Sequence, residues 1–306
     1  MTAMTGSRVE HDATEMAHHT TGLTRGITPY LQLAPLVILM LVFAVVPLVG
    51  MLAITFFKSD IFGLEPQLTL ANYVKFTGES TYVRVLIKSM RIAFIVTAAT
   101  IVISYPVAFW LAKVVIRHKL LFLIILFAPY WVNYVIRSYA WLPLLGNSGI
   151  INSFLLGTGI IDQPLSWMLY NEFSVILVLI YVFLPFGIVP LYLSIDRISN
   201  DLLAASADLD ATPMMTFVHV VLPLSMPGLA GSFLTVFVLT IGAYVTPKLV
   251  GGTTGIMFGN LIADQFGITY NWTWGATLAV ILTCLTGAVV WVVSRRVPVT
   301  KVFVQG

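Results

Sequence analysis

"DLLAASADLDATPMMTFVHVVLPLSMPGL", residues 201–229, places three aspartates and three prolines between two strongly apolar segments. The whole chain has 306 residues, of which 58% are hydrophobic and only 9% are charged. Soluble domains carry about 25% charged residues, so this deficit predicts an integral membrane protein. The net charge of +3 is small and predicts no nucleic-acid partner. The stretch is therefore expected to be a polar connection between two membrane spans.

The first half of this connection is predicted to be a short helix that ends at a corner. Ser199, Asn200 or Asp201 can cap it by accepting its free backbone N–H groups. The following "LLAASADL" is a good helix sequence with small residues on one side. Asp210 stands where the chain is expected to turn.

The second half is predicted to be another short helix. Thr212 can cap it, and Pro213 then occupies the first helical position. Pro223 is predicted to end it, because the residue before a proline disfavours the helical region. An apolar stripe at helical spacing consists of Met214, Phe217, Val218 and Val221. This helix–corner–helix is either an amphipathic loop at the membrane surface or a docking element for a soluble partner, and the pattern alone leaves both interpretations open.

Six segments are long and apolar enough to cross a membrane as helices, which need about 20 residues each. No alternating ten-residue pattern favours a barrel, so the predicted fold class is an all-α membrane protein with six transmembrane helices. The segments are Leu31–Phe57, Ile92–Ala112, Leu120–Leu145, Phe173–Ile195, Leu224–Val245 and Thr273–Val293.

The distribution of Lys and Arg predicts that both termini are cytoplasmic. This orientation puts two basic groups inside together with Arg25, although it leaves other basic residues outside. The inside groups are Lys113, Arg117 and Lys119, and Arg295, Arg296 and Lys301; those outside are Lys58, Lys75, Arg84 and Lys88.

The domain organisation follows from these spans. Residues 1–28 are predicted to be a polar, disordered cytoplasmic tail, and residues 29–296 the transmembrane domain. A cytoplasmic loop covers about residues 196–223, and residues 297–306 form a cytoplasmic tail. No metal site or catalytic residue is predicted, and no phosphate-binding motif G-x-x-x-x-G-K-[ST] occurs in the sequence.

The 201–229 stretch resembles the cytoplasmic loop of ATP-binding-cassette importer permeases. That family pattern is Glu-Ala-Ala, three residues, Gly, nine residues and Ile-x-Leu-Pro. Ala204, Ala205 and Ser206 occupy its first three places, and Asp210 occupies the glycine place. Val220, Leu222 and Pro223 are in register, and Pro227–Gly228 follow as they often do in the family. Aspartate is one of the few other residues that adopt positive φ with some ease, so the corner can survive the lost glycine.

Four further stretches resemble the spermidine/putrescine branch of these permeases, and the likeness runs from about residue 30 to 295. They are "SYPVAFWLA" at 104–112, "PYWVNYVIRSYAWLPLLGNSGIIN" at 129–152, "YVFLPFGIVPLY" at 181–192 and "GAYVTPKLVGG" at 242–252. The resemblance implies the type I importer permease fold, a bacterial inner membrane and lipid contact.

The resemblance also implies the partners of the chain. These are a second homologous permease subunit, two ATP-binding subunits that hold ATP and Mg, and a periplasmic or lipid-anchored solute-binding protein. The 201–209 helix would insert into a groove on the ATPase as a coupling helix. The residues implied in coupling are Asp201, Ala204, Ala205, Ser206, Asp210, Phe217, Pro223 and Gly228.

The substrate pathway is predicted from polar and aromatic residues in and near the spans. Arg137 lies well inside the third span, where an ionisable residue is by default a functional candidate. The preferred interpretation is nevertheless a structural ion pair with Glu172 or Asp162. Aromatic rings that can face ammonium groups, and acids that can meet an incoming cation, complete the candidates: Tyr134, Tyr139, Trp141, Glu172 and Asp264. The alternatives are that the rings belong to the aromatic belt at the membrane interface and that the acids are solvated loop residues.

Other functions stay open at this point. A secondary transporter would need coupling acids inside the membrane, and none of the six predicted spans contains Asp or Glu. A membrane scaffold would leave the cytoplasmic loop without a nucleotide-binding partner. Within the importer interpretation, the solute is expected to be a polyamine, with an opine, an amino acid derivative or a sugar as alternatives.

Overall fold

The computed structural model describes residues 33–60, 63–65 and 67–296. The chain divides into two compact units, Met1–Phe56 and Phe57–Gly306. In the first unit, helix α1 spans Leu33–Ile54 with a mean hydropathy of 3.0. At 1.5 Å per residue its 22 residues extend about 33 Å, enough to cross a hydrocarbon core of about 30 Å. The predicted tails lie outside the described residues.

The second unit begins with a small antiparallel hairpin, and helices follow. The hairpin joins β1 (Lys58–Asp60) to β2 (Gly63–Glu65), with Lys58 opposite Glu65. The helices are α2 (Ala71–Gly78), α3 (Ser80–Phe109), α4 (Lys119–Phe127), α5 (Tyr134–Tyr139), α6 (Leu142–Leu145), α7 (Ile150–Gly157), α8 (Glu172–Asp196), α9 (Asn200–Asp208), α10 (Pro213–Thr216), α11 (Leu222–Ile241), α12 (Val245–Val250), α13 (Phe258–Gly267) and α14 (Trp272–Arg296).

Helices α3, α8 and α11 form the centre of the second unit. Small residues let them approach closely, which is typical of helix packing in membranes. A Cβ added to Gly187 would lie 2.6 Å from the Ser104 hydroxyl oxygen on α3. A Cβ added to Gly228 would lie 2.7 Å from the Pro190 carbonyl and closer still to Ser194 Cβ on α8. Both glycines are therefore required by the contact of α8 with its neighbours.

The number of spans agrees with the prediction only if one broken segment is counted. Within the described residues, five helices are long and apolar enough to cross a membrane, and a sixth span requires the bent pair Lys119–Trp131 and Tyr134–Gly157, which meet at 89°. The long helices are those at Leu33–Ile54, Ser80–Val114, Glu172–Asp196, Pro213–Ile241 and Trp272–Arg296.

The predicted continuous helix Leu120–Leu145 is wrong. After α4 the chain makes a 3₁₀ turn at Ala128–Trp131, and Val132 is extended. Asn133 then caps α5 by accepting the Val135 N–H at 2.8 Å. The apolar composition hides this break, because a span is counted by hydropathy whereas the turn depends on Pro129 and on the Asn133 side chain.

The predicted helix end at Pro223 is also wrong. The chain is helical from Pro213 to Ile241, through a π-helical turn at Phe217–Val221. In that turn the Leu222 N–H bonds to the Phe217 carbonyl, five residues earlier. A proline ring in a regular helix clashes with the carbonyl group four residues earlier. The extra residue of the π-turn shifts that carbonyl group away from the Pro223 ring, so the helix continues. The second predicted helix of the loop and the fifth span are therefore one rod.

Candidate functional site

The two helices of the 201–229 connection are capped as the sequence predicts. The Ser199 hydroxyl oxygen accepts the Leu202 N–H at 3.3 Å and begins α9. The Thr212 hydroxyl oxygen accepts the Met215 N–H at 3.3 Å, and Pro213 follows it at the first helical position of α10. These local side-chain bonds set the bounds of both helices.

The corner between α9 and α10 has the backbone conformation that was expected at Asp210. Its φ is +56°, in the left-handed region that glycine adopts most easily. The Asp210 N–H bonds to the Ala207 carbonyl at 3.0 Å, and the Ala211 N–H bonds to the Ser206 carbonyl at 3.1 Å. Aspartate thus replaces the glycine of the family pattern without loss of the turn.

Ser206 does not lie on the outer surface of α9, unlike its small neighbours Ala204 and Ala205. It is 9% exposed, and its hydroxyl donates to the Leu203 carbonyl at 2.8 Å. The same hydroxyl is 2.9 Å from the Thr216 hydroxyl of α10. Ser206 therefore joins the two helices, whereas Ala204 and Ala205 are exposed.

The outer surface of this connection is strongly apolar. Leu209, next to the corner, is 82% exposed. Further exposed apolar side chains lie on both helices: Leu202, Met214 and Met215. Asp201 lies in the first turn of α9, where an acidic side chain is favourable toward the helix dipole. The surface has the apolar composition of a protein contact.

The connection is tied to the membrane helices at both of its ends. Lys119 forms an ion pair with Asp196 at 2.6 Å, and Lys113 donates to the Ile198 carbonyl. At the other end, the rings of Phe217 and of Tyr105 on α3 form a T-shaped pair, with centroids 5.4 Å apart. Sequence reasoning gave the two lysines only a topological role, because their partners are 77 and 85 residues away.

A second group of candidate residues surrounds Arg137 on the broken segment. The expected ion pair with Glu172 or Asp162 is wrong. Glu172 is instead paired with Arg91, whose guanidinium nitrogen is 2.6 Å from the carboxylate. The Arg137 guanidinium lies over the Tyr130 ring at 3.9 Å and donates to the Pro129 carbonyl at 3.3 Å. The cation is thus held by aromatic stacking and one backbone carbonyl.

The other predicted pathway residues divide into two sets. Tyr134 is close to Arg137, and its hydroxyl is 2.8 Å from the Thr246 hydroxyl of α12. Trp141 packs edge-on against Tyr181 of α8, with centroids 5.3 Å apart. Of the remaining residues, Tyr139 is exposed, Glu172 is paired as described, and Asp264 is 3.4 Å from the Lys248 ammonium group.

Two cavities adjoin the Arg137 side chain. The larger is about 330 Å³ and the smaller about 210 Å³, and Pro129 and Tyr181 line both of them. Trp141 lines the larger cavity and Tyr130 the smaller one. The broken segment therefore lines two partly open cavities, and irregular backbone at membrane depth is tolerated where it lines a cavity.

Comparison with known proteins relates about four fifths of the chain to transport permeases. The spermidine/putrescine transport system permease protein PotB of Escherichia coli is 36% identical over 241 residues, covering 78% of this chain and 87% of PotB. PotB of Haemophilus influenzae is 34% identical and covers 83% of this chain and 88% of its own. The inner membrane ABC transporter permease protein YdcU of E. coli is 32% identical, covering 74% and 76%. No protein-family model matches the chain.

Solved structures share the fold. A bacterial ABC transporter involved in the import of the acidic polysaccharide alginate superposes with a TM-score of 0.66 at 16% identity, covering 92% of this chain and 99% of that one. A bacterial alginate ABC transporter in complex with an alginate pentasaccharide-bound periplasmic protein gives a TM-score of 0.69 at 15% identity, covering 90% and 96%. The 36% identity to E. coli PotB over 78% of the chain shows that the chain belongs to the ABC transporter permease family that includes PotB and YdcU.

Proposed function

We propose that the chain is the membrane-spanning permease subunit of an ATP-driven polyamine importer and that it forms half of the translocation pathway. The 36% identity to E. coli PotB over 87% of that protein carries the proposal. The solute is spermidine, putrescine or a polyamine of similar size. The protein resides in the bacterial inner membrane with both termini in the cytoplasm.

The proposed complex contains three further kinds of subunit. A second, homologous permease completes the pathway, two ATP-binding subunits hold ATP and Mg, and a periplasmic or lipid-anchored solute-binding protein delivers the solute. The shared fold with an alginate transporter that was solved with a periplasmic protein supports the last of these. The chain itself needs no cofactor in this scheme.

Coupling to the ATPase is assigned to α9 and the corner that follows it. Ala204 and Ala205 are exposed and small, so α9 can approach the floor of a groove, and Leu209 can fill an apolar part of it. The helical rod from Pro213 to Ile241 begins just after this corner, so a displacement of α9 moves a membrane helix directly. A rigid lever of this kind gives the two states the different contacts that coupling requires.

The pathway is assigned to the broken segment, which carries Arg137 and three of the predicted aromatic residues, and to two acids outside it. Trp141 and the exposed Tyr139 offer aromatic faces, on which ammonium groups bind. Tyr134 is assigned to the pathway beside Arg137, whose guanidinium already lies 5.8 Å from that ring. Glu172 and Asp264 are assigned to the entrance, where each carboxylate already has a basic neighbour. A polycation that arrives there competes with Arg91 and Lys248 for the two acids.

Uptake by the assembled transporter tests the proposal. The four kinds of subunit are expressed in a host without its own polyamine importers, and uptake of radiolabelled spermidine is measured. We expect ATP-dependent uptake that requires the solute-binding protein. Uptake of other solutes without uptake of polyamines would contradict the proposed substrate class.

The coupling surface is tested by Ala205→Arg. A long charged side chain on the contact face of α9 must overpack the groove or bury an unpaired charge, which costs about 1–3 kcal/mol. We expect the ATPase to detach, or its hydrolysis to continue without uptake. Ala71→Arg is the matched control, since Ala71 is exposed on α2. It is expected to leave ATPase binding and spermidine uptake unchanged. Normal ATPase binding and uptake by Ala205→Arg would remove α9 from the coupling role.

A further inference from the structure

A buried cation, the guanidinium of Arg137, lies in the membrane-spanning part of the second unit. Arg137 is 8% exposed, and no carboxylate of the described residues forms an ion pair with it. Its Nη1 reaches only the Pro129 carbonyl, at a long 3.3 Å, and its Nε has no acceptor within that part of the chain. Burial of a charged group with so few hydrogen bonds is costly, so a further group is expected to complete the arrangement.

A second donor without an acceptor lies beside this cation. The Tyr130 ring stacks against the guanidinium, and its buried hydroxyl has no hydrogen-bond partner among residues 33–60, 63–65 and 67–296. Arg137 and Tyr130 line the same cavity of about 210 Å³, whose other residues are apolar except for Tyr181. At about 30 Å³ per molecule, that volume equals about seven waters of liquid. The cavity therefore lies beside both side chains. The Arg137 Nε and the Tyr130 hydroxyl are closed to solvent in this arrangement, so a ligand in the cavity reaches them once the two side chains rotate.

The chemistry of these donors selects the ligand. A guanidinium has five N–H donors and no acceptor, and its planar fork fits a carboxylate with two oxygens. The Tyr130 hydroxyl adds a neutral donor, and the positive charge of Arg137 repels an ammonium group. We propose that Arg137 and Tyr130 form a binding site for a carboxylate. The inference goes beyond the proposed function, because a polyamine carries no carboxylate.

The depth of the site limits where the carboxylate can come from. Tyr181 lies nine residues after the start of α8 and fifteen before its end, or about 14 Å and 22 Å along the helix axis. A hydrocarbon core is about 30 Å thick, so the site lies within it and below the level of lipid head groups. Two sources remain, which are an acidic side chain of a partner subunit and the carboxylate of a small solute in the pathway.

The assembled transporter and the isolated full-length chain are compared to test the site. The variants are Arg137→Met, Arg137→Lys and Tyr130→Phe, with Val135→Ala as the control, since Val135 is exposed on the same helix and lines neither cavity. Thermal midpoints are measured alone and with butyrate. Butylamine, which has the same carbon chain and an amine in place of the carboxylate, is the matched probe.

Each source of the carboxylate gives a different result. With a solute site, butyrate raises the wild-type midpoint and butylamine does not. Arg137→Met then weakens butyrate binding about 10-fold to 100-fold, and Tyr130→Phe weakens it about 3-fold to 10-fold. With a partner carboxylate, butyrate has no effect, and Arg137→Met lowers the midpoint or yield of the complex but not the midpoint of the isolated chain. In either case Arg137→Lys shows a smaller loss than Arg137→Met, because it keeps the positive charge but not the planar fork of donors.

Two results would overturn the proposal. In the first, the Arg137→Met complex has the wild-type midpoint, and butyrate changes the midpoint of neither the wild-type nor the variant complex. Water would then satisfy the donors. The other is an equal loss in the complex and in the isolated chain, which means that Arg137 only stabilises its own fold. Spermidine uptake by the wild-type complex tests the proposed function separately, so neither failure implies the other.

Discussion

Gly228→Ala is expected to force α8 and α11 apart. The added Cβ would lie 2.7 Å from the Pro190 carbonyl oxygen, and Ser194 Cβ would be closer still. Carbon atoms in contact prefer separations of about 3.5–4.0 Å, so the two helices have to separate by roughly 1 Å. Overpacking of this kind costs about 1–3 kcal/mol, and the higher helix propensity of alanine offsets up to about 1 kcal/mol of it.

A matched substitution separates these two contributions. Gly287 lies in α14, and a Cβ added there meets no atom within 4 Å. Gly287→Ala therefore gains the helix propensity without the clash. The difference in the free energy of unfolding between the two variants then equals the packing cost, about 1–3 kcal/mol, with Gly228→Ala the less stable protein.

Unfolding in mixed micelles, followed by circular dichroism as the dodecyl sulfate fraction rises, measures this difference. Gly228 is also one of the residues assigned to coupling, and it lies where the helical rod of α11 crosses α8. Spermidine uptake by the Gly228→Ala transporter is therefore expected to fall, while the Gly287→Ala transporter keeps wild-type uptake. Equal unfolding free energies for the two variants would refute the close contact of α8 with α11.

Three further outcomes are expected. Asp210→Gly should match or slightly exceed wild-type thermal stability and keep spermidine uptake. Asp210→Val should lower both thermal stability and uptake, because a β-branched residue at φ +56° is strained. Equal stability and uptake of the two variants would contradict a functional role for the corner. Single cysteines at Ala205 and Ser148, introduced after Cys284→Ser, should react with an impermeant maleimide from the cytoplasmic and external sides respectively, and labelling from one side would contradict the topology. Lys119→Met should lower the free energy of unfolding by less than about 1 kcal/mol, since the ion pair of Lys119 with Asp196 is partly exposed. A larger loss would show that this ion pair is important for stability.

Some of the structure follows from short stretches of sequence. Hydropathy alone identifies the long apolar helices, because a helix in lipid must satisfy its own backbone and expose apolar side chains. The caps at Ser199 and Thr212 and the corner at Asp210 follow from side-chain chemistry within three or four residues. Each of these features is local, so no other part of the chain is needed to predict it.

Helix interruptions depend on more than composition. Pro223 lies within a continuous helix because a π-turn precedes it, whereas the segment around Pro129 breaks. The two prolines have similar apolar neighbours, and their different outcomes depend on whether the surrounding helices and side chains can satisfy the displaced backbone groups. The orientation of Ser206 is likewise decided by Thr216 of the next helix.

What the sequence by itself determined is the protein class, the approximate spans and the shape of the 201–229 connection. Only the tertiary structure decided which charges meet. Glu172 pairs with Arg91, 81 residues away, so it is not available to Arg137, and Asp196 pairs with Lys119 across 77 residues. Such pairs form because folding brings α3, α4 and α8 together, and spacing along the chain carries no information about that proximity. The position of Arg137, buried between two cavities and without a carboxylate from the described residues, has the same origin.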